Sequence, residues 1–359
     1  MVEMKRRSIL FPALLLCATG AWAQSQSLLV LSKADQTLSV IDPVSLKVLG
    51  KAPSGPDPHE VTVSADGKTA YISNYAGGGY NTISVVDLVK IQALPTIDLG
   101  PLRGPHGLWF AGGKVWFTAE AAKAIGSYDP ATSKIDWILG TGQNRTHMIY
   151  VFDDLKRMVT SNISSATMTI IDETTPGQGR GPGGPGGPPP GGPPPGGRGP
   201  GGPGPGGPRK DWLETVVPVG PGAEGFDVAP NGVELWAANA GDGTISILDL
   251  KAKAVSQTLQ ANVKSANRLK ITPDGKLAFV SMLGAPEVAI FDVATRKEIK
   301  RLKIEKGAAG IQMQPDGARA FVACTPENSV AIIDLKTLTI TGRLDAGKQP
   351  DGMAWAVRR

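Results

Sequence analysis

Cysteine is almost missing from this chain. Of 359 residues only Cys17 and Cys324 are cysteines. Cys17 sits in an N-terminal apolar run that reads as a removable segment, which leaves one thiol and excludes an internal disulfide framework. The fold must therefore hold by burial and strand pairing. Long apolar runs are also missing after residue 23, so no later segment reads as a membrane span. There is no basic stripe. The formal charge is +5, but apart from the N-terminus and the edges of one loop the cations are scattered, which gives no strong nucleic-acid signal. Histidine is scarce as well, with three in the chain.

The N-terminus has the layout of a secretory signal. Lys5, Arg6 and Arg7 precede an apolar run from Ile9 to Ala18, and Ala21-Trp22-Ala23 supplies an A-x-A cleavage site. Residues 1–23 are expected to be removed, with Gln24 as the mature N-terminus. Leu16 precedes Cys17, where a lipid-anchoring signal would place a small residue, so no membrane anchor is expected after cleavage. Removing the segment takes the charge to +3, since Glu3 leaves with its three cations. The expectation is a periplasmic or secreted protein, monomeric.

What is abundant is repetition. Two or three apolar or small residues ending in aspartate recur as SVID at Asp42, SVVD at Asp87, GSYD at Asp129, TIID at Asp172, SILD at Asp249, AIFD at Asp292 and AIID at Asp334. The spacing is 42–45 residues except for one step of 77. Short strands at this period are the signature of propeller blades. Each unit has an inner strand such as HEVTVSADG (59–67), a tight Asp-Gly or Asn-Gly turn, a second strand such as TAYISN (69–74), a third ending in the repeating Asp, and a polar fourth such as KEIKRLKI (297–304). The N-terminus supplies a second, third and fourth strand without a first, and the C-terminus supplies a lone first strand, DGMAWAV (351–357). The fold class is therefore all-β, one seven-bladed β-propeller over 24–359, closed by pairing the C-terminal strand with the N-terminal blade.

The long step is explained by residues 177–208, almost wholly Gly and Pro. Such a run buries nothing and lacks backbone donors, so it is expected as a disordered, partly polyproline-II loop inserted within one blade. Two uses stay open: a tolerated insertion, or a docking arm for a proline-recognising partner or a surface polymer.

These repeats, in phrases such as VSADGKTAYISN (63–74), TISILDL (244–250) and QPDGARAFVACTPENSVAIIDLKT (314–337), resemble the YVTN β-propeller repeat family. The resemblance covers nearly all of the mature chain outside the Gly/Pro segment. It implies architecture rather than activity, because a propeller is a scaffold for many functions.

Aligned on the turn after each inner strand, His59, His106 and His147 take the same place in three consecutive blades. Glu224, Asn267, Ala309 and Asp351 take it in the others. These positions are expected to ring one mouth of the central channel. The ends of the second strands, aligned as Lys33, Asn74, Glu120, Asn162, Asn239, Met282 and Cys324, are expected to form a neighbouring ring, with Arg145 and Arg268 beside it. On one reading this is polar lining of a water-filled channel. On the other, imidazoles and a carboxylate on neighbouring strands suit a divalent metal or another ligand.

GPHGLWFAGGKVWFTAEAAKAIGSYDPATSKI (104–135) is similar to a blade of the virginiamycin B (streptogramin) lyase family. That resemblance implies a catalytic base at His106 and a metal-ligating glutamate fourteen residues on, at Glu120, with His59 as a further ligand. Gly104 departs from the family, which has a second glutamate there, and His147 is extra. The catalytic reading makes His59, His147 and Glu120 the ligands of one divalent metal ion, His106 the base, and Glu224, Asp351, Asn267 and Arg145 the ligand-binding residues.

The recurring Asp residues are expected to cap turns. Trp109, Trp116, Trp236 and Trp355 are expected to pack between blades, and Cys324 to be a small buried filler. Asn144-Arg145-Thr146 fits an N-glycosylation pattern. The function expected first is an exported binding or scaffold module for a small-molecule or protein ligand at the channel mouth. The alternative is a metal-dependent lyase or lactonase-like enzyme. An accessory role in a periplasmic redox system rests on fold analogy alone.

Overall fold

The computed structural model describes residues 25–175, 210–304 and 306–358. The expected signal peptide (1–23) and the Gly/Pro segment (177–208) lie outside the described residues. Those residues form seven four-stranded antiparallel sheets set around a channel. The inner strands are Pro58–Val63, Pro105–Ala111, Thr146–Val151, Ala223–Val228, Ala266–Ile271 and Ala308–Met313, in blades 2 to 7. Blade 1 takes its inner strand, Pro350–Arg358, from the C-terminus, which pairs with Ser25–Ser32 in the register Leu28↔Trp355, Leu29↔Ala354 and Val30↔Met353. The ring is latched as the strand count predicts.

The reason for a ring is legible in the burial. The third strands are continuous apolar runs, as in Thr82–Asp87 and Ser329–Asp334, and their centres are buried on both faces. A sheet that is apolar on both faces must be covered twice, and only neighbouring blades on either side do this. The core accordingly divides into seven clusters, one at each blade–blade interface. The fourth strands alternate, as in Lys134–Gly140, which suits the solvated rim. In blade 4 the third strand, Thr167–Thr174, pairs with Asp211–Pro218, so the Gly/Pro segment is inserted between third and fourth strands without breaking the blade.

Most of the repeating Asp residues cap turns. Asp42, Asp87, Asp129, Asp249, Asp292 and Asp334 each accept backbone N–H groups two or three residues on. Asp172 differs from the expectation. Its strand continues to Thr174 with no turn to cap, and its carboxylate instead pairs with Arg157 and Lys253, each at 2.6 Å. Cys324 is fully buried. Trp116 and Trp236 are buried in inter-blade clusters and Trp355 packs edge-on against Phe321. Trp109 packs against the cluster between blades 3 and 4 and lies tilted against Tyr150 of the next blade at 4.4 Å, and it also lines the channel.

One irregularity positions the site. In blades 2 to 7 the register of the inner strand slips between its first and fourth residues, for example Pro58↔Asn74 then Val61↔Ile72. Three steps on the inner strand match two on its partner, which is a β-bulge, and bulges re-aim side chains. The bulged residues include His59-Glu60, His106-Gly107, His147-Met148, Glu224-Gly225 and Asn267-Arg268. The amide freed by the bulge is satisfied by a hydroxyl of the second strand: Glu60 by Ser73, Gly107 by Thr118, Met148 by Ser161, Arg268 by Ser281. Three of those hydroxyls donate onward to the next blade, to the carbonyls of His147, Glu224 and Ala309. Those three bulges are thus tied both to their own blade and to its neighbour.

Candidate functional site

Seven residues in the left-handed region precede the inner strands. They are Asp57, Gly104, Arg145, Gly222, Ser265, Gly307 and Gln349, with φ between +45° and +79°. Each accepts a backbone hydrogen bond from the residue that follows the last ladder pair of the second strand: Lys33, Tyr75, Glu120, Ile163, Ala240, Leu283 and Thr325. This set is the true second ring. It corrects the alignment read from sequence, which placed Lys33 and Glu120 alongside Asn74, Asn162 and Asn239. Those asparagines lie one residue earlier and point the other way. They are fully buried and bound to third-strand hydroxyls: Asn74 with Ser84, Asn162 with Thr169, Asn239 with Ser246. Met282 and Cys324 are likewise buried inside blades. The corrected ring adds Tyr75, which the sequence reading missed.

The histidines sit where the sequence places them, each the second residue of its inner strand. Their rings form an arc. His59 and His106 are 5.1 Å apart, His106 and His147 are 3.7 Å apart, and Tyr75 lies edge-on at 4.9 Å from both His59 and His106. Glu120 is the hub. One of its oxygens takes Nδ1 of His147 and the other takes the Tyr75 hydroxyl, both in short contacts. Arg145 Nε stands 3.6 Å from the same carboxylate. Burial opposes the charge on Glu120, but the hydrogen bond and charge of His147, then Tyr75 and Arg145, outweigh it and hold the carboxyl below its usual range. Tyr75 is pushed up to about 12 by burial and then by Glu120, so its hydroxyl stays a donor.

A carboxylate accepts only, so Nδ1 of His147 carries a hydrogen, and in the neutral ring Nε2 carries the lone pair. That Nε2 is buried and has no hydrogen-bond partner among the described residues; the nearest carboxylate oxygen, on Glu224, is 3.9 Å away. His106 differs. Its Nδ1 is also buried without a partner, and no carboxylate orients the ring, among the described residues. Burial first, then the charges of His147, His59, Arg268 and Lys33, holds it well below the ordinary imidazole range. Glu224 accepts from Asn267 Nδ2 at 2.6 Å. Gly104 is tight: a Cβ there would stand 3.0 Å from Gly78 Cα and 3.2 Å from Ala121 N, so a glutamate at this place would strain the backbone.

The other end of the arc carries a fixed cation. Lys33 Nζ lies 2.5 Å from Asp351 Oδ2 and 2.9 Å from His59 Nε2. The ammonium donates, so His59 Nε2 is an acceptor already in use, and its Nδ1 faces the Asp57 carbonyl at 3.2 Å. Burial and then Lys33 lower the His59 pKa. This bears on the metal ion that the lyase resemblance implies. His59 spends its lone pair on an ammonium, and the two oxygens of Glu120 are taken by His147 Nδ1 and the Tyr75 hydroxyl, so of the three only His147 keeps a nitrogen without a partner among the described residues, at Nε2. Among the described residues no group of three His, Cys, Asp or Glu side chains is placed to hold a metal ion. The set His59, His147 and Glu120 does not fit one in this arrangement.

Arg268 does not stand in the ring. It drops beneath it and forms a short ion pair with Glu60, on a blade that is not its neighbour. That contact is reachable only through the channel, so the pair closes the channel below the mouth.

No protein-family model matches the chain, and no curated protein does. Solved structures do match in fold. A functionally unknown protein from Desulfotomaculum acetoxidans superposes with a TM-score of 0.71 at 10% identity, over 93% of this chain and 99% of that one. A protein provisionally described as a 6-phosphogluconolactonase, from Bacteroides fragilis, gives 0.69 at 15% identity over 93% and 98%. The hydrazine synthase of Kuenenia stuttgartiensis gives 0.62 at 16% identity over 82% and 88%. At such identities the likeness shows the propeller fold.

Proposed function

We propose that the chain is exported and works as a β-propeller that binds a small hydroxylated ligand at its histidine mouth, with general-base reactivity toward a lactone or ester. The observation that carries this is His147. Its Nδ1 rests on Glu120 while its buried Nε2 has no partner, which is how an imidazole is poised to take a proton.

In the proposed step the mouth opens to admit a water to the buried Nε2, and the water attacks the acyl carbon and gives its proton to His147. Glu120 stabilises the imidazolium that forms, and Tyr75 and Arg145 hold Glu120 in place. The tetrahedral centre collapses, the ring or ester C–O bond breaks, and the leaving alkoxide takes the proton from Nε2. Arg145, about half exposed, and Lys33 suit the carboxylate that is released. The base role therefore moves from His106, which has no orienting carboxylate, to His147; His106 packs against it and keeps water from that face. No step runs through a metal. The structural neighbour described as a 6-phosphogluconolactonase supports lactones as the class to try first.

The test is hydrolysis of δ-gluconolactone and related sugar lactones by the mature protein, followed by proton release. His147→Asn is expected to remove the activity, and His106→Asn to keep most of it. Lack of both turnover and binding across a lactone panel, or full activity in His147→Asn, overturns the proposal. Export is checked by the N-terminus of protein recovered outside the cytoplasm, expected at Gln24.

A further inference from the structure

The Arg268–Glu60 pair has a second side. Beneath it the channel opens into a cavity of about 340 Å³, within the range of small-molecule sites. The inner strands run from the mouth toward the opposite face, so this chamber belongs to the far side of the ring.

Its wall is asymmetric. Trp109 and Tyr150 form an aromatic side, with ring centroids 4.4 Å apart. Beside them stand Asp227 and Lys270. The Asp227 carboxylate is largely spent on the backbone, accepting from Val228 N at 3.2 Å and from Ile271 N at 2.9 Å. Lys270 pairs with Asp227 only as an ion pair, its ammonium 3.6 Å from the carboxylate and beyond hydrogen-bond length, so its N–H donors make no hydrogen bond among the described residues. The Tyr150 hydroxyl has none either. Burial and then Asp227 raise its pKa, which keeps it a donor. N–H and O–H donors without a hydrogen bond beside an aromatic wall, with the acidic group already held by backbone amides, select an anion on a flat apolar body.

We propose that this chamber is a second ligand site, separate from the mouth, and that it takes a small planar aromatic carboxylate. The ring lies against Trp109 and Tyr150, and the carboxylate accepts from Lys270 and the Tyr150 hydroxyl. The inference does not depend on the lactone reading, because the Arg268–Glu60 pair stands between the two sites.

The experiment is calorimetric titration of the mature protein with benzoate and with indole-3-carboxylate, using methyl benzoate as the uncharged control. One saturable site is expected. Lys270→Met should weaken carboxylate binding about tenfold or more, the loss of a charge-assisted hydrogen bond. Methyl benzoate should bind weakly to wild type and equally to the variant. Trp109→Leu should weaken both ligands. His147→Asn at the mouth should leave benzoate binding unchanged. Should Lys270→Met fail to fold, the comparison of benzoate with its ester and the Trp109 variant still decide. Absence of saturable benzoate binding up to about 5 mM, equal affinity for acid and ester, or loss of binding in His147→Asn overturns the proposal.

Discussion

Arg268 of blade 6 meets Glu60 of blade 2 across the channel, and the two charges are almost entirely shut off from solvent. Arg268 also donates to the Asn267 carbonyl at 3.1 Å. Removing one partner leaves a buried charge unpaired, whereas removing both leaves none. Glu60→Leu is therefore expected to cost about 3–5 kcal/mol, and Glu60→Leu/Arg268→Met much less. Chemical denaturation of the three proteins checks this; equal losses in single and double variants would show that packing rather than charge pairing holds the septum.

Gly107 follows His106 because the next blade leaves no room. A Cβ there would lie 2.6 Å from the His147 carbonyl oxygen and 2.7 Å from Met148 Cα, both backbone atoms. Gly225, Gly310 and Gly352 make the same approach at equivalent places. Gly107→Ala is expected to cost about 1–3 kcal/mol as an overpacked contact and to shift His147. Melting temperature and the His147 ring signals in NMR should change together.

Acid should destabilise the fold earlier than carboxylate titration alone would. His106 and His59 are held below the ordinary imidazole range, by burial first and then by nearby positive charge. The unfolded chain takes up a proton on each near pH 6.5, and the folded chain does so only at lower pH. The unfolded state then binds more protons, so stability falls as pH drops below about 6.5, by at most about 1.4 kcal/mol per pH unit for each histidine. Glu120, held below its usual range, adds a loss in the same direction at lower pH. Thermal melts across this window should show the slope, and His106→Asn should flatten it.

Glu120→Gln tests the couple without changing its size. The amide oxygen replaces one carboxylate oxygen, and the amide nitrogen can only donate. With the nitrogen toward His147, Nδ1 must become the acceptor and Nε2 acquires the hydrogen. The base proposed at Nε2 is then lost although the ring stays in place. Nitrogen NMR shifts of His147 should report the exchanged tautomer, and hydrolysis should fall about 10²–10⁴-fold.

The histidine ring was legible because His59, His106 and His147 occupy one repeat position, and a repeat position maps to one place in a ring. Tyr75 was not. The second strands end in similar letters, ISN in blade 2 and TAE in blade 3, and aligning those endings pairs Glu120 with Asn74. The ladder instead pairs Ala119 with Pro105 and Asn74 with Pro58, which makes Tyr75 the equivalent of Glu120. A slip of one residue in a strand turns a side chain to the opposite face, so the alignment hid the tyrosine that holds Glu120. The proposed change of base has a related source: His106 has the matching Pro-His-Gly, but the carboxylate fourteen residues on reaches past it to His147.

Sequence alone determined the number of blades, the closure of the ring by its two ends, the insertion point in blade 4 and the circle of polar residues at the mouth. These follow from periodicity and local alternation, which act over a few residues and repeat. The tertiary structure decided which side chains meet at the mouth. Tyr75, Glu120 and His147 come from three blades, Lys33 takes the lone pair of His59 from a fourth, and Arg268 crosses the channel to Glu60. Those contacts depend on the direction given to each side chain by the bulges and on the width of the closed ring.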